Sequence, residues 1–186
     1  GKLDGNGDKV TYKLPAMGGL TAGASFQNGG IAGGTDTQTF GFAYAMEAGG
    51  NAITLGYSSA NQEAVTADND GTSLGVKVVT AGGITFMVAQ GSQESNGEDL
   101  TAQSAGISYT LANGITLNAG TINSEDDIDT GEEYTMSTYE AVYTIASGLT
   151  AVVTVSDFDY EEGTANNAGK DDINGTTTSL HIKASF

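Results

Sequence analysis

A turn glycine followed by Leu or Ile and then Thr recurs five times in this chain. It reads Gly19-Leu20-Thr21, Gly50 with Ile53-Thr54, Gly83-Ile84-Thr85, Gly114-Ile115-Thr116 and Gly148-Leu149-Thr150. The glycines are 31, 33, 31 and 34 residues apart, and Phe186 closes the chain 38 residues after the last. A period of this size can mark a helical solenoid. Here, however, apolar residues alternate one in two around each phrase, and that is the spacing of a strand whose side chains point to opposite faces. Each repeat therefore predicts a hairpin: a strand, a polar loop, a returning strand and a tight glycine turn.

Composition removes several classes of protein. The 186 residues include 28 Gly and one Pro, with 23 acidic residues against six basic ones, all lysine. There is no Cys, so neither a disulfide framework nor thiolate chemistry is available. A chain this acidic lacks the Lys/Arg surface that displaces counterions from phosphates, which excludes a nucleic-acid partner. No run reaches the ~18 apolar residues of a spanning helix, although barrel strands carry a far weaker signal per segment. The sequence opens without a starting Met, so Gly1 is expected to follow a cleavage or to begin a fragment.

Eleven strands are predicted, at 9–17, 19–28, 37–48, 51–61, 72–81, 83–92, 100–112, 114–124, 133–146, 148–160 and 176–186. Their connections alternate between two kinds. Tight, nearly uncharged turns carry Gly or Asn, the residues that tolerate positive φ. Longer connections at 28–37, 62–72, 93–99, 125–133 and 161–175 hold or adjoin 19 of the 23 carboxylates, whereas only Glu47 adjoins a tight turn. A soluble sandwich has no reason for such one-ended charge. A protein with different solvents at its two ends does.

Alternation also sorts side chains by face. Phe40, Phe42, Tyr44 and Met46 oppose Thr39, Gly41, Ala43 and Ala45; Leu74, Val76 and Val78 oppose Ser73, Gly75 and Lys77. The second face is small and hydroxylated, as expected of a wet interior with the apolar side turned to lipid. Aromatic residues gather near the strand ends: Tyr12, Tyr44, Phe86, Tyr109, Tyr143 and Phe186 toward the tight turns, Phe26, Tyr57, Tyr134, Phe158 and Tyr160 toward the loops. Two such bands predict a membrane girdle. The fold class is thus all-β, an antiparallel up-and-down transmembrane β-barrel forming one domain over 1–186. Its rival is a soluble or cell-surface calcium-binding β-sandwich or adhesin, with apolar faces pressed together.

An up-and-down barrel closes antiparallel only with an even strand number, so eleven strands imply others before Gly1. The segment Lys9-Val10-Thr11-Tyr12-Lys13-Leu14-Pro15-Ala16, followed by Gly19-Leu20-Thr21-Ala22-Gly23-Ala24-Ser25-Phe26, resembles the mid-barrel hairpin of Gram-negative general diffusion porins, particularly alphaproteobacterial ones. The ending Leu180-His181-Ile182-Lys183-Ala184-Ser185-Phe186 resembles their assembly signal, carried by Leu180, Ile182 and Phe186. The resemblance implies strands six to sixteen of a sixteen-stranded barrel, with 1–8 as the tail of the inward constriction loop. It also implies a homotrimer in the bacterial outer membrane that passes ions and small polar solutes passively, without catalysis or cofactor. Lipid, lipopolysaccharide and the β-barrel assembly machinery are its implied partners. The chain departs from the family in having no arginine, the residue that members set on the barrel wall opposite the loop.

Alternation predicts Lys9, Lys13, Lys77, Glu140, His181 and Lys183 as pore-lining. Four lysines against one carboxylate favour a wall that attracts anions, opposed by an acidic mouth that concentrates cations. Acidic groups at Asp68/Asp70 and Asp126/Asp127/Asp129 are candidate Ca²⁺ or Mg²⁺ ligands, since hard cations take oxygen donors. Their alternative reading is a set of solvated, mutually repelling loop tips.

Overall fold

The computed structural model describes residues 9–29, 36–63, 68–95, 98–126, 132–163 and 172–184. The expected loop tail at 1–8 lies outside them. Eleven strands follow one another: β1 (Lys9–Lys13), β2 (Leu20–Gln27), β3 (Asp36–Ala48), β4 (Asn51–Glu63), β5 (Asp68–Val79), β6 (Thr85–Ser95), β7 (Glu98–Thr110), β8 (Ile115–Asp126), β9 (Glu132–Ala146), β10 (Leu149–Glu161) and β11 (Ile173–Ala184). They form a single sheet in sequence order, every pair antiparallel. β1 and β11 are its edges and do not pair with each other, so the sheet is open.

The repeated glycine explains the hairpins. Gly19, Gly50, Gly83, Gly114 and Gly148 all have φ between 77° and 86°, a region costly for any residue with a Cβ. Gly18-Gly19 and Gly49-Gly50 both place two positive φ values in succession, the two-residue turn whose twist matches the flanking strands. At Gly83 and Gly114 the loop is one residue longer, closed by Gly83 N–H donating to the Thr80 carbonyl and Gly114 N–H to that of Leu111, both at 2.9 Å.

The observed strands run further into the acidic connections than hydrophobic alternation predicts. β5 starts at Asp68 rather than 72 and β11 at Ile173 rather than 176. Backbone pairing does not need apolar side chains, so the ladder continues past the apolar zone into water, where the pattern is silent. β1 stops early at Lys13 because Pro15 has no N–H for the ladder.

No apolar side chain is buried among the described residues. Phe40, Phe42, Leu74, Val88, Ile107, Leu117 and Val153 are each more than a third exposed, and the edge residues Leu180 and Ile182 reach 68% and 67%. A sandwich requires the opposite, two layers whose apolar faces exclude water from each other. The described residues form one sheet without a second layer, which does not favour that rival.

Candidate functional site

Register partners in an antiparallel pair point to the same side of the sheet, so the pairing traces each face across the molecule. One row runs Tyr44, Leu55, Val76, Val88, Ala105, Thr121, Ser137, Asp157 and Thr176. It begins four residues from the turn end of β3 and reaches Asp157, eight residues beyond the start of β10. The row climbs from apolar to acidic because neighbouring strands are staggered, as a tilted barrel wall demands. This face therefore has an apolar zone on the tight-turn side and a collar of carboxylates beyond it. Several collar oxygens accept hydrogen bonds: Asp70 from Asn61 Nδ2 at 2.5 Å, Glu133 from Asn123 Nδ2 at 2.6 Å and Asp157 from Thr176 Oγ1 at 2.6 Å.

The opposite face is built differently. Its row through Lys13 reads Gly23, Gly41, Ser58, Ser73, Gly91, Ala102, Ser124, Tyr134, Tyr160 and Ile173. Cross-strand hydroxyls pair along it: Ser25 with Thr39 at 2.7 Å, Ser58 with Ser73 at 2.8 Å, Thr110 with Thr116 at 2.9 Å and Thr138 with Ser156 at 3.0 Å. Such pairs satisfy each other within the wall and keep side chains short, which leaves the space in front of it open. This is the wet face.

All six predicted wall residues lie on it by register. Lys9 pairs with Gln27, Lys13 with Gly23, Lys77 with Thr54 and Met87, Lys183 with Thr150, and His181 with Val152. His181 Nε2 lies 3.1 Å from Ser179 Oγ. Glu140 accepts from Asn118 Nδ2 at 2.9 Å and from Thr154 Oγ1 at 3.4 Å. Register adds Glu47, opposite Ala52, and the partners Asp126 and Glu132 to the same face. The expected excess of lysine is therefore corrected: four carboxylates face four lysines among the described side chains of this wall. Parity alone carried that information. It was hidden because these three acids stand near strand ends, where boundaries are hardest to read.

Seven of the girdle residues, Tyr12, Phe26, Tyr44, Tyr57, Phe86, Tyr109 and Tyr143, are on the apolar face. Phe158 is not. It stands three residues beyond Val155 on β10, hence on the wet face, opposite Met136 and Gly175. A Cβ at Gly175 would come within 2.9 Å of the Phe158 ring, so the ring occupies room that only glycine leaves. Asp157 and Asp159 take the outward positions at that height. Tyr134 and Tyr160 share the wet face, with Tyr134 OH donating to Met136 Sδ at 3.3 Å.

Leu180 and Ile182 of the expected assembly signal lie on the apolar face; Phe186 lies outside the described residues, as do Asp127 and Asp129. Asp68 faces Glu63 across the ladder, and Asp126 points to the opposite side from Asp68 and Asp70. The described residues contain no group of three acids or histidines arranged to hold a metal.

This geometry can be set beside known proteins. The Gram-negative porin family model matches residues 2–180. The chain belongs to that family. Its all-β sheet agrees in fold with the anion-selective porin from Comamonas acidovorans, at TM-score 0.64 and 12% identity over 94% of this chain and 57% of that one. It also agrees with the outer-membrane expressed OmpT of Vibrio cholerae, at TM-score 0.69 and 14% identity over 96% and 65%. The porin thus spans about three-fifths of the length of these two structures. A search of curated sequences returns no match. Family membership places the protein in the bacterial outer membrane and fixes the sense of its faces: in a porin the apolar side meets hydrocarbon.

Proposed function

We propose that this porin is a passive diffusion channel for ions and small hydrophilic solutes. One observation carries the reading: register segregates large apolar side chains and small hydroxylated ones onto opposite faces of a single sheet, with no buried apolar core among the described residues. A sheet can cross lipid only if its backbone groups are all paired. The free edges of β1 and β11 therefore support a barrel closed by pairing them, with the wet face lining the pore; the family resemblance implies sixteen strands in all. Its wall charges are Lys9, Lys13, Lys77, Glu140, His181 and Lys183, together with Glu47, Asp126 and Glu132. The reading includes a homotrimer, contact with lipid and lipopolysaccharide, and delivery by the assembly machinery that reads the last strand. It needs no cofactor and no catalytic step, because solute moves down its own gradient.

The charge arrangement sets the ion preference. With lysines and carboxylates balanced on the wall, the acidic collar at the loop end dominates and raises the local cation concentration. The test is single-channel recording of the full-length protein in a planar bilayer under a KCl gradient. Step-like conductance with a reversal potential of the sign for potassium is the expected result. A chloride-selective potential would refute the charge argument, and a silent bilayer would refute the channel.

A further inference from the structure

On the wet face the wall recedes between β6 and β9, leaving a groove of about 560 Å³. Its floor is the register pair Gly106 and Gly120. A Cβ at Gly120 would lie 3.2 Å from the Ala105 carbonyl oxygen, and one at Gly106 would lie 3.8 Å from Met87 Cε. The missing side chains thus set the depth. Met87, Ile122 and Met136 flank this floor, and Glu140 stands at its tight-turn end.

Neither feature suits a plain water conduit. Three large apolar side chains together gain nothing from facing water, and the rest of this face is mostly Gly, Ser, Thr and Ala. Glu140 is held in place by Asn118 and Thr154, both neutral donors that orient its charge without cancelling it. No lysine occurs on β8, β9 or β10; His181 and Lys183 stand on β11, two strands from Glu140, and Lys77, the register partner of Met87, stands on β5, four strands away. Met136 and Glu140 are four residues apart on β9, roughly 13 Å along the strand. A fixed negative charge at one end of an apolar trough is complementary to a cationic head with an apolar tail of about that length.

We propose that this groove is a weak subsite for amphipathic monocations, an alkylammonium or aralkylammonium whose head lies on Glu140 and whose tail lies along Met136 and Ile122. The subsite rests on the channel reading. Its occupancy slows such solutes in passage and obstructs smaller ions while they are bound.

The full-length protein in planar bilayers, carrying potassium current, tests the assignment. n-Hexylammonium should reduce the current saturably at concentrations where ammonium and n-hexanoate do not. The half-blocking concentration should fall about twofold per added methylene, half the effect of complete burial. Glu140→Gln should raise it about tenfold, the loss of one charge-assisted contact. The double variant Ile122→Thr/Met136→Thr should flatten the chain-length dependence, and it carries the test alone if Glu140→Gln fails to assemble. Equal obstruction by hexanoate, or a half-blocking concentration indifferent to these substitutions, overturns the subsite while leaving the channel intact. A bilayer with no conductance steps brings down both.

Discussion

An arginine placed on Phe42 or on its neighbour Ala43 tests the sidedness of the sheet directly. Phe42 pairs with Tyr57 and points to the apolar face; Ala43 pairs with Gly56 and points to the wet one. Phe42 stands six residues from the turn end of β3. At ~3.3 Å per residue and ~40° of tilt that is roughly 15 Å above the tight turn, about the middle of a belt ~25 Å tall. Arginine on the lipid side near the midplane costs about 2–4 kcal/mol. Phe42 also packs against Tyr57, with centroids 5.7 Å apart at 33°, and against Phe40 at 6.3 Å and 52°. Losing two such contacts adds about 0.5–1.5 kcal/mol each, so Phe42→Arg should cost about 3–7 kcal/mol. Ala43→Arg meets open space, because nothing lies within 4 Å of where a Gly56 Cβ would be; its cost should stay within about 0.5 kcal/mol.

Urea titration of the full-length protein folded in lipid vesicles gives both numbers, with gel mobility of the folded form as the readout. Gln38→Arg is the depth control. Gln38 shares the face of Phe42 but lies four residues closer to the loops, near the edge of the belt, where the cost falls to about 0–1 kcal/mol. Sidedness and depth together predict Phe42 far above Gln38, and Gln38 close to Ala43. An Ala43→Arg penalty equal to that of Phe42→Arg would refute the assignment of faces.

Other expectations follow from single positions. The chain has no Trp, so Phe86→Trp and Phe158→Trp are clean reporters: brominated lipid should quench the first and spare the second, and aqueous acrylamide should do the reverse. Gly83→Ala should cost about 1 kcal/mol, the price of positive φ alone, since nothing approaches its Cβ; Gly19→Ala should cost more in the same urea assay, because its Cβ would run into the Ala45 carbonyl oxygen. Phe186→Ala should impair assembly into membranes more than refolding in detergent, and equal loss in both would remove its role as a signal.

How much of the fold is legible in the sequence follows from where the physics is periodic. Between the tight turn and the middle of each strand, lipid on one side and water on the other force a strict two-residue alternation. There the faces of Phe40 to Met46, Leu74 to Val78 and the six wall charges all follow from parity. Beyond the belt both sides are wet, alternation no longer distinguishes them, and only the hydrogen-bond ladder keeps count. There the structure departs from the pattern: β5 and β11 begin earlier, Glu47, Asp126 and Glu132 turn inward, and Phe158 leaves the girdle. Phe158 also shows why residue type is a poor guide to side near the rim. An aromatic there can be a lipid anchor or a plate over an inward glycine, and Gly175, which decides between them, is 17 residues away in sequence but directly opposite in register. The groove at Glu140 was illegible for the same reason. Met87, Gly106, Gly120 and Thr138 come from four strands and form one row, and only pairing register converts their separate alternations into a shared surface with depth and charge.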